Sequence, residues 1–110
     1  MSRSTPLHIA VEELSRLRQA GEPMTILDVR EAWERELCAI DGSLPIPLGE
    51  LPERLADVPG DRLVVVLCHH GNRSARAAAW LRSQGYANTT NLEGGIDQWA
   101  RLIDSSMKVY

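Results

Sequence analysis

The sequence predicts an α/β fold with a mostly parallel central sheet and helices on both of its faces. Short apolar strands alternate along the chain with helical stretches, which is the pattern of such folds. The stretch 63–67 (Leu-Val-Val-Val-Leu) is apolar at every position, as in a parallel strand covered on both sides. The segments between strands are long enough for helical crossovers. Since 110 residues leave no room for a second core of similar size, we expect a single domain over 1–110.

The first half of the chain gives three extended segments and three helical stretches. Apolar and β-branched residues mark the strands, whereas apolar residues three or four positions apart mark the helices. Gly21 closes the first helix, and the Asp41-Gly42 pair indicates a turn. The predicted elements are a strand over 7–9, a helix over 11–20, a central strand over 24–29, a short helix over 30–37, an extended segment over 44–47 and a helix over 49–58.

The second half repeats the alternation around its most apolar strand. That strand leads directly into Cys68, and Gly85 ends the helix that follows. Ligands of open parallel sheets bind beyond the carboxyl ends of the strands, so residues 68–73 lie where a site is expected. The predicted elements are a strand over 63–67, a helix over 74–84, a strand over 89–92 and a helix over 96–103.

Composition and charge argue against several classes of function. The formal net charge is -3, whereas nucleic-acid binders usually carry a basic surplus, so we expect no nucleic-acid partner. No apolar stretch is long enough to cross a membrane or to form a signal core near Met1, so we expect a cytoplasmic protein without a membrane partner. Thiols stay reduced in the cytosol, so Cys38 and Cys68 each need a separate explanation.

The loop after the strand over 63–67 brings together residues that favour a reactive thiol. Its thiol lies at the N-terminal mouth of a predicted helix, where unpaired backbone N–H groups and the helix dipole stabilise a thiolate. Gly71 allows a tight curl of the backbone, and Arg73 adds a fork suited to oxyanions. A lone cysteine at a strand end is usually a buried apolar residue, but the glycine and the arginine favour a catalytic one. The loop reads Cys68-His69-His70-Gly71-Asn72-Arg73-Ser74.

Three motifs resemble those of the rhodanese family, in the family's order and spacing. The loop from Cys68 to Ser74 resembles the rhodanese active-site loop. Leu27-Asp28-Val29-Arg30-Glu31 is similar to the family's early strand-end motif, and the stretch from Asn91 to Trp99 resembles its closing motif. The resemblance spans nearly the whole chain, which is identified as a member of the single-domain rhodanese-like sulfurtransferases.

The resemblance implies a sulfurtransferase of the thiosulfate:cyanide type that needs no cofactor and no metal. Cys68 would attack the sulfane sulfur of thiosulfate, a polysulfide or a low-molecular-weight persulfide and carry that sulfur as a persulfide. It would pass the sulfur to a thiol, a cyanide-like acceptor or a sulfur-relay protein. Independently of the resemblance, Asp28 and Arg30 lie at a strand end, where a buried ion pair would support the loop. The alternative is that Asp28 only starts a helix. The residues that would bind substrate are His69, His70, Gly71, Asn72 and Arg73.

Other interpretations stay open from the sequence. The chain could be a sulfur-relay or regulatory module that delivers its persulfide to one protein without free turnover. A cysteine phosphatase or arsenate reductase is disfavoured, because these relatives use a longer loop than the four residues between Cys68 and Arg73. A zinc site on the loop is disfavoured because adjacent residues rarely converge on one tetrahedral ion. Cys38 is assigned to packing, and a disulfide between Cys38 and Cys68 is the less favoured hypothesis.

Overall fold

A five-stranded parallel sheet forms the centre of the computed structural model, which describes residues 5–110. The strand order is β1-β5-β4-β2-β3, and every neighbouring pair runs parallel. The predicted α/β fold class with a parallel central sheet is confirmed. The strands are β1 (His8–Ile9), β2 (Met24–Asp28), β3 (Leu44–Pro45), β4 (Leu63–Leu67) and β5 (Thr89–Leu92).

Four α-helices connect or follow these strands. The predicted helix over 30–37 begins later, because Arg30 and Glu31 precede its first turn and Glu31 caps it. No helix within residues 5–110 has the length and apolar character needed to cross a membrane. The helices are α1 (Val11–Gln19), α2 (Ala32–Leu37), α3 (Asn72–Ser83) and α4 (Gly95–Leu102).

The side chains of β4 point alternately into two hydrophobic clusters, one on each face of the sheet. Val64 and Val66 pack with residues of α3, whereas Val65 and Leu67 pack with residues of α1 and α4. Successive side chains of a strand point to opposite faces, so a strand that is apolar at every position is buried on both. Helices on both faces of the sheet, as predicted, are confirmed.

The predicted helix over 49–58 is wrong, because the segment forms two separate 3₁₀ turns. These turns are Leu48–Glu50 and Leu55–Asp57. Pro52 lies between them, and a proline inside an α-helix removes one backbone donor and collides with the carbonyl four residues earlier. The apolar spacing still has a use, since Leu51 and Val58 are buried in the cluster beside α3.

Helix α3 begins at Asn72, two residues earlier than predicted. The connection between β4 and α3 is therefore only the stretch 68–71. Asn72 and Arg73, expected to lie in the loop, belong to the first helical turn instead. Their backbone N–H groups consequently lie among those that an α-helix leaves without an intrahelical partner.

Candidate active site

Cys68 follows β4 directly, and its side chain is buried with 1% of its surface exposed. Two backbone N–H groups at the start of α3 donate to its Sγ, from Gly71 at 3.1 Å and from Ser74 at 3.3 Å. The Ser74 hydroxyl lies 3.3 Å from Sγ. Hydrogen-bond donors around a buried sulfur atom stabilise a negative charge on that atom.

The tight curl expected at Gly71 is present, and a glycine is required there. Gly71 precedes α3 with φ 104°, a region that side-chain-bearing residues rarely adopt. A Cβ at this position would lie 3.2 Å from the backbone N of Gly94 and 3.4 Å from the carbonyl oxygen of Leu92. The close approach of these backbones brings the Gly71 N–H onto the sulfur.

The backbone around the sulfur carries further donors that are not used within the protein. Residues 68–73 are called the thiol loop below. The N–H groups of His69, His70, Asn72 and Arg73 find no acceptor within residues 5–110. Unpaired N–H groups that surround one point at a helix N-terminus form a binding place for anions.

The N-terminus of α4 holds the thiol loop from behind. The Ile96 N–H donates to the Cys68 carbonyl at 2.9 Å, and the Asp97 N–H donates to the His69 carbonyl at 3.0 Å. Gly95, with φ 61°, allows this contact. A Cβ on Gly95 would lie 2.5 Å from both carbonyl oxygens. The closing motif therefore positions the thiol loop through its backbone.

Arg73 forms a bidentate ion pair with Glu34, which the sequence analysis did not single out. Each Arg73 Nη atom lies 2.7 Å from one carboxylate oxygen of Glu34. Hydrogen bonding to Arg73 lowers the pKa of Glu34 from its ordinary value of 4.5 to about 2, and the same contact raises the pKa of Arg73. The Arg73 side chain remains 34% exposed. Binding of a sulfur donor by Arg73 stays a prediction.

Asp28 and Arg30 form a buried ion pair at the end of β2. Neither side chain is exposed, and Arg30 Nη2 lies 2.7 Å from Asp28 Oδ2. The other Arg30 donors reach the carbonyls of Glu34 at 3.2 Å and Cys38 at 2.8 Å. Burial opposes the positive charge of Arg30, but the hydrogen bonds that Arg30 donates to Asp28 and Tyr110 more than compensate and raise its pKa. Asp28, Arg30 and Glu34 are called the charged brace below.

Tyr110 joins the charged brace to the histidines of the thiol loop. Its hydroxyl accepts from Arg30 Nη1 at 3.1 Å and donates to Glu34 Oε1 at 2.9 Å. Burial raises its pKa to about 12, so this hydroxyl keeps its proton. Its ring stacks on His69 at 3.8 Å between centroids, and His70 stacks on the same imidazole at 3.9 Å. His69 is thus fixed by two aromatic rings, whereas His70 is exposed.

One group of possible metal ligands lies beside the thiol loop within residues 5–110. It consists of His69, His70 and Asp97, whose ligand atoms lie within 4.8 Å of one another. The two imidazoles are stacked with an angle of 27° between their planes, so their in-plane lone pairs run side by side. A tetrahedral ion needs lone pairs that converge. Both Asp97 oxygens also accept from Arg101.

Cys38 and Cys68 belong to hydrophobic clusters on opposite faces of the sheet. Both are free thiols. The sulfur of Cys38 lies 4.0 Å from Arg30 Nη1. This separation by the sheet favours the packing role predicted for Cys38 over the disulfide hypothesis.

Four residues of the site carried no assigned role in the sequence analysis. Ser74 and Gly95 lie inside the motifs that resemble the rhodanese family. The signal that could have identified them is their position, Ser74 at the end of the loop from Cys68 and Gly95 at the start of the closing helix. Glu34 and Tyr110 reach the site from distant parts of the chain, and no local pattern marks them. These four residues are Glu34, Ser74, Gly95 and Tyr110.

Comparison with known proteins identifies relatives along most of the chain. The family model described as a rhodanese-like domain matches residues 10–102. A sulfurtransferase of Allochromatium vinosum is 39% identical over 90 residues, covering 82% of this chain and 84% of that protein. The adenylyltransferase and sulfurtransferase MOCS3-2 of Zea mays is 36% identical over 109 residues, covering 93% of this chain. The chain spans only 23% of the maize protein's length.

The fold also matches solved structures. The crystal structure of a rhodanese-related protein from Thermoplasma volcanium superposes with a TM-score of 0.78 at 38% sequence identity. The match covers 87% of this chain and 92% of that protein. Sequence and architecture therefore point to the same group of proteins.

Proposed function

The chain belongs to the rhodanese-like domain family, and from this premise we propose that it transfers sulfane sulfur through a persulfide on Cys68. The observation that carries the proposal is the buried Sγ with three hydrogen-bond donors within reach at the mouth of α3. Transfer of sulfur by the Allochromatium vinosum relative supports the same chemistry. The thiosulfate:cyanide type of activity and a cytoplasmic location are parts of this proposal.

The first step loads the sulfur. The Cys68 thiolate attacks the sulfane sulfur of a donor such as thiosulfate, a polysulfide or a small persulfide. A new S–S bond forms to Cys68, and the donor's own bond to that sulfur breaks. The leaving group departs with the electron pair, as sulfite in the case of thiosulfate. The terminal sulfur of the resulting persulfide carries a negative charge.

The second step unloads the sulfur. A thiol or a cyanide-like acceptor attacks the terminal sulfur, and the S–S bond to Cys68 breaks. The electron pair returns to Sγ, which leaves as a thiolate. The donors that face Sγ, from Gly71 and Ser74, stabilise this leaving group. The backbone N–H groups of Gly71 and Ser74 are fixed by the fold before the reaction, so these two donors need no reorganisation when charge returns.

The anionic part of donor and persulfide is assigned to the unused donors of the thiol loop. The N–H groups without an internal acceptor lie in the thiol loop before and within the first turn of α3, where the helix N-terminus carries a partial positive charge. Arg73 adds a cation, and the exposed face of its side chain leaves room for a second partner beside Glu34. Exposed His70 completes the side of the loop toward solvent.

The nature of the acceptor separates two versions of the proposal. Free turnover would use a small acceptor, whereas a relay would deliver the sulfur to one protein. The relay version is supported by the match to less than a quarter of the maize adenylyltransferase and sulfurtransferase. In that protein, a domain similar to this chain is joined to a second activity. Neither nucleic acid nor a membrane has a place in either version.

Intact-protein mass spectrometry after incubation with thiosulfate or a polysulfide tests the proposal. Wild type should gain the mass of one sulfur atom, and cyanide or a thiol should remove it. Cys68→Ser should gain nothing, while Cys38→Ser is the matched control that should load like wild type. Loading of Cys68→Ser, or no loading of wild type by any donor, would overturn the persulfide mechanism.

A turnover measurement then separates the two versions. A free sulfurtransferase should release many equivalents of product per protein when donor and small acceptor are both in excess. A relay module should load once and keep its sulfur until a protein acceptor is supplied. Repeated turnover with cyanide would exclude a module that is restricted to a protein partner.

A further inference from the structure

The Ser74 hydroxyl has one proton but two acceptors within reach. Its oxygen lies 3.3 Å from Cys68 Sγ and 2.5 Å from Asn91 Oδ1. Both contacts are buried, so solvent water does not supply a second proton donor for the two acceptors. A hydroxyl donates to one acceptor at a time, and therefore Ser74 serves either the sulfur or the amide.

Asn91 extends this line of polar atoms to the protein surface. It is 3% exposed and lies on β5, where its register partner on β1 is His8. The Asn91 Nδ2 atom lies 3.1 Å from His8 Nδ1. His8 is exposed, so its ring exchanges protons with water. The catalytic sulfur is thus linked through two buried side chains to one exposed imidazole.

A fixed amide conflicts with negative charge on Cys68. If Ser74 donates to the charged sulfur, no proton remains between Ser74 Oγ and Asn91 Oδ1. Two oxygens 2.5 Å apart without a proton between them repel each other. If Ser74 keeps donating to Asn91, the sulfur loses one of its donors. A side-chain amide resolves the conflict, because its oxygen and its NH₂ group are similar in size and exchange places on a half-turn.

We propose that Asn91 and His8 are positioning residues that turn the Ser74 proton toward Cys68 whenever Sγ is negatively charged. With a neutral sulfur, Ser74 donates to Asn91 Oδ1 and Asn91 Nδ2 donates to His8 Nδ1. With a charged sulfur, the amide is reversed, so that His8 Nδ1–H donates to Oδ1, Nδ2 donates to Ser74, and Ser74 donates to Sγ. His8 changes tautomer through solvent, and its net charge stays the same.

This inference rests on the proposed function only in that Sγ carries charge. It assigns Asn91 and His8, which no step of sulfur transfer requires to touch the substrate. The mechanism acts on the free thiolate and on the leaving thiolate of the second step alike. It therefore has readouts that need no sulfur donor.

The rate of alkylation of Cys68 by iodoacetamide, measured at a pH below the midpoint of its own rate profile, tests the proposal by the direction of the change. Asn91→Leu removes the donor behind Ser74, so alkylation should slow by about threefold to tenfold, the effect of one hydrogen bond between neutral groups. If Asn91 instead always accepts from Ser74, the same substitution frees the hydroxyl for the sulfur and alkylation should become faster. An equal or faster rate overturns the proposal.

The matched control is Thr90→Val, one position earlier on β5. The Thr90 hydroxyl is buried and has no hydrogen-bond partner within the described residues, and its side chain points to the opposite face of the sheet. It should leave the alkylation rate unchanged. Replacement of the exposed residue gives a second pair of variants. His8→Gln keeps a group that both donates and accepts and should react like wild type, whereas His8→Leu should slow alkylation.

Nuclear magnetic resonance of a Cys38→Ser protein tests the reversal without a disruptive variant at Asn91. The ¹⁵N shifts of the His8 ring are compared between free Cys68, above the midpoint of its alkylation profile, and Cys68 capped as a neutral methyl disulfide. Nδ1 should carry the proton with the charged sulfur, and Nε2 should carry it after capping. The same tautomer in both states overturns the proposal. Absent sulfur loading in the mass experiment would overturn the proposed function and leave this result intact.

Discussion

Two neighbouring strands, β2 and β4, end side by side. The two ends differ in whether the polar groups there have hydrogen-bond partners within the protein. At the end of β2, the Arg30 guanidinium is surrounded by acceptors from the charged brace, Cys38 and Tyr110. At the end of β4, Cys68 is surrounded by donors, and four further N–H groups of the thiol loop find no acceptor within residues 5–110. One end is internally satisfied, and the other is not.

The difference agrees with the proposed function, in which the end of β2 stabilises the protein and the end of β4 performs the chemistry. Buried polar groups in proteins are nearly always paired, so the paired charged brace is what folding alone requires. Unused donors around a nucleophile have a cost in folding and are useful when an anion arrives. We therefore expect substitutions in the charged brace to lower stability and substitutions in the thiol loop to lower sulfur transfer.

Arg30→Met should produce the largest loss of stability. It leaves the fully buried Asp28 with one cationic partner, Arg35, whose Nη1 lies 2.7 Å away, and with the backbone N–H of residue 30. Removing one partner of a buried ion pair costs about 3–5 kcal/mol. Chemical denaturation followed by circular dichroism measures the loss.

Arg35→Met is the matched control for that substitution. Arg35 is 22% exposed and contacts Asp28 through a single nitrogen, so its removal should cost less. If Arg35→Met is the more destabilising of the two, then Arg30 is not the centre of the charged brace.

Gly95→Ala should come next, because it forces the backbone of α4 away from the thiol loop. The new Cβ would lie 2.5 Å from two carbonyl oxygens, and such overpacking costs about 1–3 kcal/mol. Loading of Cys68 with sulfur should fall as well, since the displaced carbonyls belong to the thiol loop. Stability is measured by denaturation, and loading by intact mass.

Gly85→Ala separates strain from collision. Gly85 also has a positive φ of 97°, but nothing lies within 4 Å of its Cβ position. This variant should lose some stability and load sulfur normally. A loading defect in Gly85→Ala equal to that of Gly95→Ala would mean that the contact with the thiol loop is not the cause.

The elements that sequence could predict are those whose cause is local. The apolar run of β4 and the glycine of the thiol loop act on their immediate neighbours, and both are present as expected. The predicted helix over 49–58 failed because its apolar spacing outweighed the single proline at position 52. Periodicity describes which residues are buried, and different backbones satisfy it.

The polar contacts of the site could not be predicted in the same way. Glu34 and Arg73 are separated by 39 positions, and Glu34 and Tyr110 by 76. Their pairing depends on where two helices and the end of the chain lie in space. Arg73 was selected for the chemistry of its side chain, and that chemistry suits Glu34 as well as an anionic donor.

Glu34→Gln tests how much that distant pair stabilises the protein. The lowered pKa means that ionised Glu34 stabilises the fold fully above its ordinary value of 4.5, and this contribution disappears as pH falls toward about 2. The variant should therefore be less stable at neutral pH by about 1–2 kcal/mol, because Arg73 is partly screened by solvent, and should lose less stability on acidification.

Denaturation curves at a series of pH values measure this difference. Glu13→Gln is the matched control, since Glu13 pairs with Arg16 on the protein surface and should contribute little. If wild type and Glu34→Gln converge at neutral pH and diverge in acid, then the sign of the linkage is wrong.

Tyr110→Phe should have the smallest effect, and it separates the two functions of this side chain. The variant removes one hydrogen bond to Arg30 and one to Glu34 while the ring still stacks on His69. Since the charged brace retains its ion pairs, the loss of stability should be about 1 kcal/mol.

Tyr110→Ala also removes the ring that stacks on His69 and frees the His69 imidazole, so the rate of sulfur loading should change only in that variant. Equal loading rates in Tyr110→Ala and wild type would restrict Tyr110 to the charged brace. A slower rate in Tyr110→Phe would instead mean that the hydroxyl contacts act on the thiol loop through Glu34 and Arg73, and that the two strand ends are coupled.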